Sequence, residues 1–114
     1  MKRNTTKTLF FLFPLLFLAE QGYAVEGKKV FETYCWGCHH QTAVAFGPPF
    51  SEIASKRSAE EIMGMITDPE SVSKVFGYKR NAMPPFKLKQ EELKAITKYI
   101  LSYKPNASTE KEKQ

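Results

Sequence analysis

A chain of 114 residues with 17 Lys/Arg against 12 Asp/Glu has room for one small domain. Its mild excess of positive charge, with no basic stripe interleaved with aromatics, argues against a nucleic-acid binder. The two cysteines lie three positions apart, so a bridge between them would close a tiny loop and could not staple distant parts of a fold; a domain this small needs another staple, such as a metal or a cofactor.

Taken in chain order, Lys2, Arg3 and Lys7 precede an apolar run, Leu9–Ala19, followed by the small residues Gly22 and Ala24. A basic start, a short apolar centre and a small-residue end describe a secretory signal peptide over residues 1–24. The run is well short of the ~20 residues a spanning helix needs, and Pro14 further weakens the alternative, an uncleaved membrane anchor. Cleavage after Ala24 takes three basic residues and Glu20 from the totals and leaves 14 Lys/Arg against 11 Asp/Glu. Export, with the periplasm as destination, is the expectation.

Gly27, Val30, Phe31 and Tyr34 recur at helical spacing, which predicts a short amphipathic helix running into Cys35. Residues 41–57 contain Gly47, Pro48 and Pro49 and read as loop. Ser58-Ala-Glu-Glu61 is a capping-box pattern that opens a helix ending at Asp68-Pro69. Residues 69–89 read as a second long loop. The stretch 90–103 sets Leu93, Ile96, Ile100 and Tyr103 on one face of a last helix, with Lys89 a poor N-cap. Residues 105–114, "PNASTEKEKQ", read as a disordered polar tail. The expected fold is all-α over residues 25–104, with short helices and loops so long that something central must hold them.

The segment Tyr34–His40, "YCWGCHH", holds both cysteines and both histidines. A thiol–disulfide oxidoreductase would need the pair after a strand in a βαβ setting, which is missing. A zinc site would have to draw four ligands from crowded neighbours. A plain disulfide of an exported protein explains neither the histidine nor the long loops. C-x-x-C-H is the spacing of c-type haem attachment, in which Cys35 and Cys38 form thioethers with the haem vinyl groups and the next residue, His39, binds the iron. His40 is expected to be an ordinary surface or loop residue.

With these residues in place, the chain resembles the single-haem class I c-type cytochromes over residues 26–104. In that family a glycine lies eight residues and an aromatic four residues before the first cysteine, here Gly27 and Phe31. The last helix carries an aliphatic residue and, three on, a tyrosine, here Ile96 and Tyr99, with Ile100 beside them. The resemblance implies that Pro48 offers its carbonyl to the His39 ring, and that Met83, in "NAMPPF", is the second axial ligand; Met63 and Met65 are its rivals. It also implies one covalently bound haem c with its iron, wrapped in a compact cytochrome c fold. Trp36 is expected to cover part of the haem edge, and Phe46, Phe50, Phe76, Phe86 and Tyr78 are candidates to line the pocket.

The implied function is one-electron transfer between redox partner proteins, with no catalysis of the chain's own. The alternatives are a haem subunit bound permanently to a larger oxidoreductase and a gas-binding sensor. Lys74, Lys79, Arg80, Lys87 and Lys89, in a stretch (71–90) without an acidic residue, point to partners with acidic docking surfaces.

Overall fold

Helix α1, Gly27–Val30, passes directly into a π-helical turn, Phe31–Cys35, in which the Trp36 amide reaches back to the Phe31 carbonyl at 2.9 Å. The predicted helix is therefore present, but its last turn is widened by one residue just where the cysteine motif begins, a distortion that recurs at functional sites. The computed structural model describes residues 24–106. The expected leader, apart from Ala24, and the expected tail beyond Asn106 lie outside the described residues.

Two of the expected loops contain helices. Within 41–57, α2 spans Phe50–Lys56. Pro49 is its N-cap, with extended backbone angles (φ −68°, ψ 154°). A proline at a helix start sacrifices no hydrogen bond, since the first amides have no partner within the helix. Phe50, Ile53 and Ala54 then fall at i, i+3 and i+4, with Phe50 and Ala54 buried. Reading the prolines as breakers hid a helix that they open. The same holds within 69–89, where α4 spans Pro69–Val75. Asp68 both ends the preceding helix and caps α4, accepting the Ser71 amide at 3.2 Å, while Pro69 occupies the first turn. That bond to Ser71 lowers the Asp68 carboxyl pKa, with Lys74 assisting. Helix α4 ends in Gly77, whose φ of +78° is a conformation that side-chain-bearing residues resist.

Helix α3, Ala59–Thr67, starts at the predicted capping box. Ser58 Oγ accepts the Glu61 amide and the Glu61 carboxylate accepts the Ser58 amide, both at 3.2 Å. Helix α5, Gln90–Leu101, stops two residues short of the predicted stretch. Its poor N-cap residue is offset by Glu92, whose carboxylate accepts the Lys89 amide at 3.0 Å.

Helices α1, α2 and α3 all pack on α5, and the described residues contain no strand. The core is Val30, Phe31, Phe50, Ile62, Ile66, Ile96 and Ile100; burying each of these side chains is worth roughly 1.5–3 kcal/mol. Phe31 and Phe50 meet edge to face at 5.1 Å, a favoured aromatic arrangement. Close approach of α1 to α5 depends on Gly27: a Cβ there would collide with the Ala95 carbonyl oxygen and lie 2.6 Å from Tyr99 Cβ. Cys35 and Met83, more than forty residues apart in sequence, both pack half-buried against this one core.

Candidate functional site

The π-helical turn delivers Cys35, and the chain then closes on itself. The Cys38 and His39 amides both donate to the Cys35 carbonyl, at 3.1 and 2.9 Å. The two thiols are not bridged; Cys35 is half-buried and Cys38 exposed. Burial, and secondarily the neighbouring Cys38, push the Cys35 thiol up to about 11. Among the described residues no three His, Cys, Asp or Glu side chains gather as a metal cage, so the zinc reading has no geometry behind it.

His39 is fixed by the segment that follows. Its Nδ1 lies 2.7 Å from the Pro48 carbonyl oxygen. A carbonyl only accepts, so Nδ1 carries the proton and the lone pair is left on Nε2. Such a bond orients an imidazole and makes its free nitrogen a stronger donor to a metal. Gly47 makes the approach possible: a Cβ there would stand 2.5 Å from His39 Cε1 and 2.8 Å from Nδ1. The Gly47 amide is itself tied to the Cys38 carbonyl at 2.6 Å. Beyond the two prolines, the Phe50 and Ser51 amides donate to the His40 and Gln41 carbonyls, both at 2.9 Å, and the Phe50 ring stacks on His39 at 5.8 Å. The start of α2 is therefore laced to the cysteine motif, and His40 enters that lacing through its carbonyl.

Met83 is bracketed by a residue that sequence reasoning passed over. Asn81 Oδ1 accepts the Met83 amide at 3.1 Å and Asn81 Nδ2 donates to the Met83 carbonyl at 3.0 Å. The signal was present in the sequence, since asparagine readily bonds to backbone two residues on. Further along, Phe86 meets Tyr34 of the π-helical turn edge to face at 5.9 Å, bringing the methionine segment onto the cysteine segment. Met63 and Met65 sit half-buried on α3. A cleft of about 470 Å³ between α4 and the methionine segment is lined by Asp68, Tyr78, Asn81, Met83 and Pro85, but by neither cysteine nor His39; it lies outside the space between the motif and Met83.

Of the candidate pocket aromatics, Phe50 lies against His39, and Phe86 joins the two segments. Trp36 and Phe46 are 62% and 78% exposed. Phe76 and Tyr78 turn elsewhere, clasping Arg57.

Residues 24–104 match the family model described as cytochrome c. The chain belongs to the cytochrome c family. No curated protein matches it. Among solved structures, cytochrome c from Rhodothermus marinus superposes with a TM-score of 0.54 at 23% identity, covering 68% of this chain and 72% of that one; the likeness is one of fold. The all-α architecture is that of a c-type cytochrome, and the family's cofactor is covalently attached haem c with its iron. The donors found here fit that group: two unbridged thiols within one turn, an imidazole held at Nδ1 by a carbonyl so that Nε2 is the nitrogen left to bind a metal, and a half-buried thioether packed on the same core. Family membership implies haem-based electron transfer.

Proposed function

We propose that this cytochrome c domain, residues 25–104, is an exported one-electron carrier. In this reading Cys35 and Cys38 would hold the haem through two thioethers, and His39 Nε2 and the Met83 sulfur would bind its iron. The observation that supports it best is the 2.7 Å contact of His39 Nδ1 with the Pro48 carbonyl, which commits the proton to Nδ1 and frees Nε2. When bound, the haem supplies a reversible ferrous/ferric couple. The chain's own work would be to supply His39 and Met83 as the protein ligands of the iron, leaving no position for a substrate, and to tune the iron. Pro48 strengthens the imidazole as a donor, and a methionine sulfur raises the potential by favouring the reduced metal.

Residues 1–24 act as the export signal in this reading, with the periplasm as destination, and residues 105–114 as a polar tail. Among the described residues no helix is long and apolar enough to cross a membrane. The test is an absorption spectrum of the exported protein. A c-type spectrum that survives acid–acetone extraction, and in the reduced state ignores carbon monoxide at neutral pH, is the expected result. A colourless protein or extractable haem overturns the covalent assignment, and a carbon monoxide shift would favour the gas sensor.

The partner is proposed to be a redox protein with an acidic face. Lys74 is partly neutralised by Glu70 at 3.4 Å, whereas Lys79, Arg80 and Lys87 form no ion pair among the described residues and are exposed beside Met83. Electron transfer to the native partner should slow as ionic strength rises through 0.1 M, where screening shortens to about 10 Å. A rate that holds steady or climbs with salt would contradict this docking mode.

A further inference from the structure

Between its two ends the methionine segment is held by side chains, Asn81 bracketing Met83 and Met83 packing on the core, and not by backbone pairing. Among the described residues, no backbone amide from Lys79 to Pro85 donates to a backbone carbonyl; the next such bond is Phe86 to Ile66, at 2.9 Å. That bond ties the far end of the segment. The near end begins at Tyr78, just past the left-handed Gly77; its amide donates to the Ser73 carbonyl at 2.9 Å, and its side chain is gripped by Arg57. The guanidinium donates through Nη2 to the Tyr78 hydroxyl at 3.1 Å and through Nη1 to the Glu61 carboxylate at 3.2 Å. Its carbon sits 3.5 Å from the centroid of the Phe76 ring, a cation–π contact. Phe76 and Tyr78, which flank Gly77, also meet each other edge to face at 5.8 Å.

The base of Arg57 is equally well fixed. It is the C-cap of α2, its amide bonded to the Ile53 carbonyl at 2.9 Å, and Ser58, the N-cap of α3, follows it at once. Its side chain is only 22% exposed. A planar fork with several donors serves two oxygens and an aromatic face together; a lysine ammonium on a flexible stem does not. Sequence reasoning gave Arg57 no role, because its three partners come from two separate stretches, one of which read as loop.

We propose that Arg57 is a positioning residue for Met83: by fixing Phe76 and Tyr78 it sets where the methionine segment starts, and so how much of the time the thioether stays at the iron. This rests on the assignment of Met83 as axial ligand. Loosening the near end enlarges the fraction of molecules in which the sulfur has swung away, and an external ligand that competes for that position then binds more tightly in proportion.

The test uses the full holoprotein and imidazole as the competing ligand. Arg57→Met keeps much of the stem's bulk and removes every donor; it should tighten imidazole binding to the ferric form about tenfold and lower the protection of the Phe86 amide against hydrogen exchange. Tyr78→Phe, which keeps the ring and loses one bond, should tighten it about threefold, and the double variant should do no more than Arg57→Met alone. Arg57→Lys should recover less than half of the loss. If Arg57→Met yields no holoprotein, Tyr78→Phe decides. Imidazole affinity within twofold of the parent, even with a lowered urea midpoint, would mean a merely structural role and overturns the proposal. Met83→Ala separates the two readings. If it leaves the near-infrared sulfur–iron band intact, the ligand assignment fails; if it abolishes the band while Arg57→Met changes nothing, only the positioning role fails.

Discussion

Met83→Ala should erase the near-infrared thioether–iron band completely, lower the reduction potential, and turn a reduced protein inert to carbon monoxide into one that binds it stoichiometrically. The reasoning is local. Met83 is half-buried against the core, and Asn81 bonds both its amide and its carbonyl. Pro84 and Pro85 follow it and restrict the backbone, so that little conformational entropy opposes a bond at its sulfur. With Met83 in its proposed role, losing that sulfur would remove the ligand that favours ferrous iron and open the iron to an added ligand. Met63→Ala and Met65→Ala should keep the band, because those side chains belong to α3. A band that persists in Met83→Ala, or disappears in either α3 variant, would reassign the ligand.

Gly27→Ala should cost about 3 kcal/mol of folding stability, measured as a lower urea midpoint in the holoprotein with an unchanged slope. In an isolated helix the same change is worth roughly 0.5–1 kcal/mol in favour of alanine, so the sign itself is informative. Here the new methyl would run into the Ala95 carbonyl oxygen and approach Tyr99 Cβ to 2.6 Å. Neither is the far end of a flexible side chain. Relief would require α1 to move off α5, opening the packing of Phe31 on Phe50 and Tyr99, and overpacking of this kind typically costs 1–3 kcal/mol or more. For a domain whose total stability is of the order of 5–15 kcal/mol, the loss is large. A neutral or stabilising outcome would show that the helix crossing is not close.

These two sites also show what the sequence made legible. Helical spacing marked Gly27, Val30, Phe31 and Tyr34, and again Leu93, Ile96 and Ile100, as two separate amphipathic helices, since spacing is a local property; that these two helices cross at Gly27 and Tyr99 was implied only by the resemblance to class I c-type cytochromes. The Ser58–Glu61 capping box was readable for the same reason. Helices α2 and α4 were missed because a proline carries two meanings. Inside a helix it breaks the ladder; at Pro49 and Pro69 it opens one, and only the apolar i, i+3, i+4 pattern after it tells which. The π-helical turn at Phe31–Cys35 has no pattern of its own at this length. Asn81 and Arg57 were missed for different reasons: the tendency of asparagine to bond backbone two residues on was readable but passed over beside the methionine, while Arg57 depends on partners that only the folded chain assembles.

Helix α2 has a consequence for how the two faces of the cofactor communicate. It is seven residues long, a rod of about 10 Å at 1.5 Å per residue. One tip rests on the His39 imidazole through Phe50 and the Pro48 carbonyl; the opposite tip is Arg57, which grips Phe76 and Tyr78 at the start of the segment leading to Met83. A tilt at either tip is carried to the other. Substitutions around the His39 imidazole and around the Met83 thioether should therefore combine non-additively, though the two residues lie forty-four positions apart in the chain. The two side chains proposed to hold the iron, His39 and Met83, would then respond to strain as a single mechanical unit.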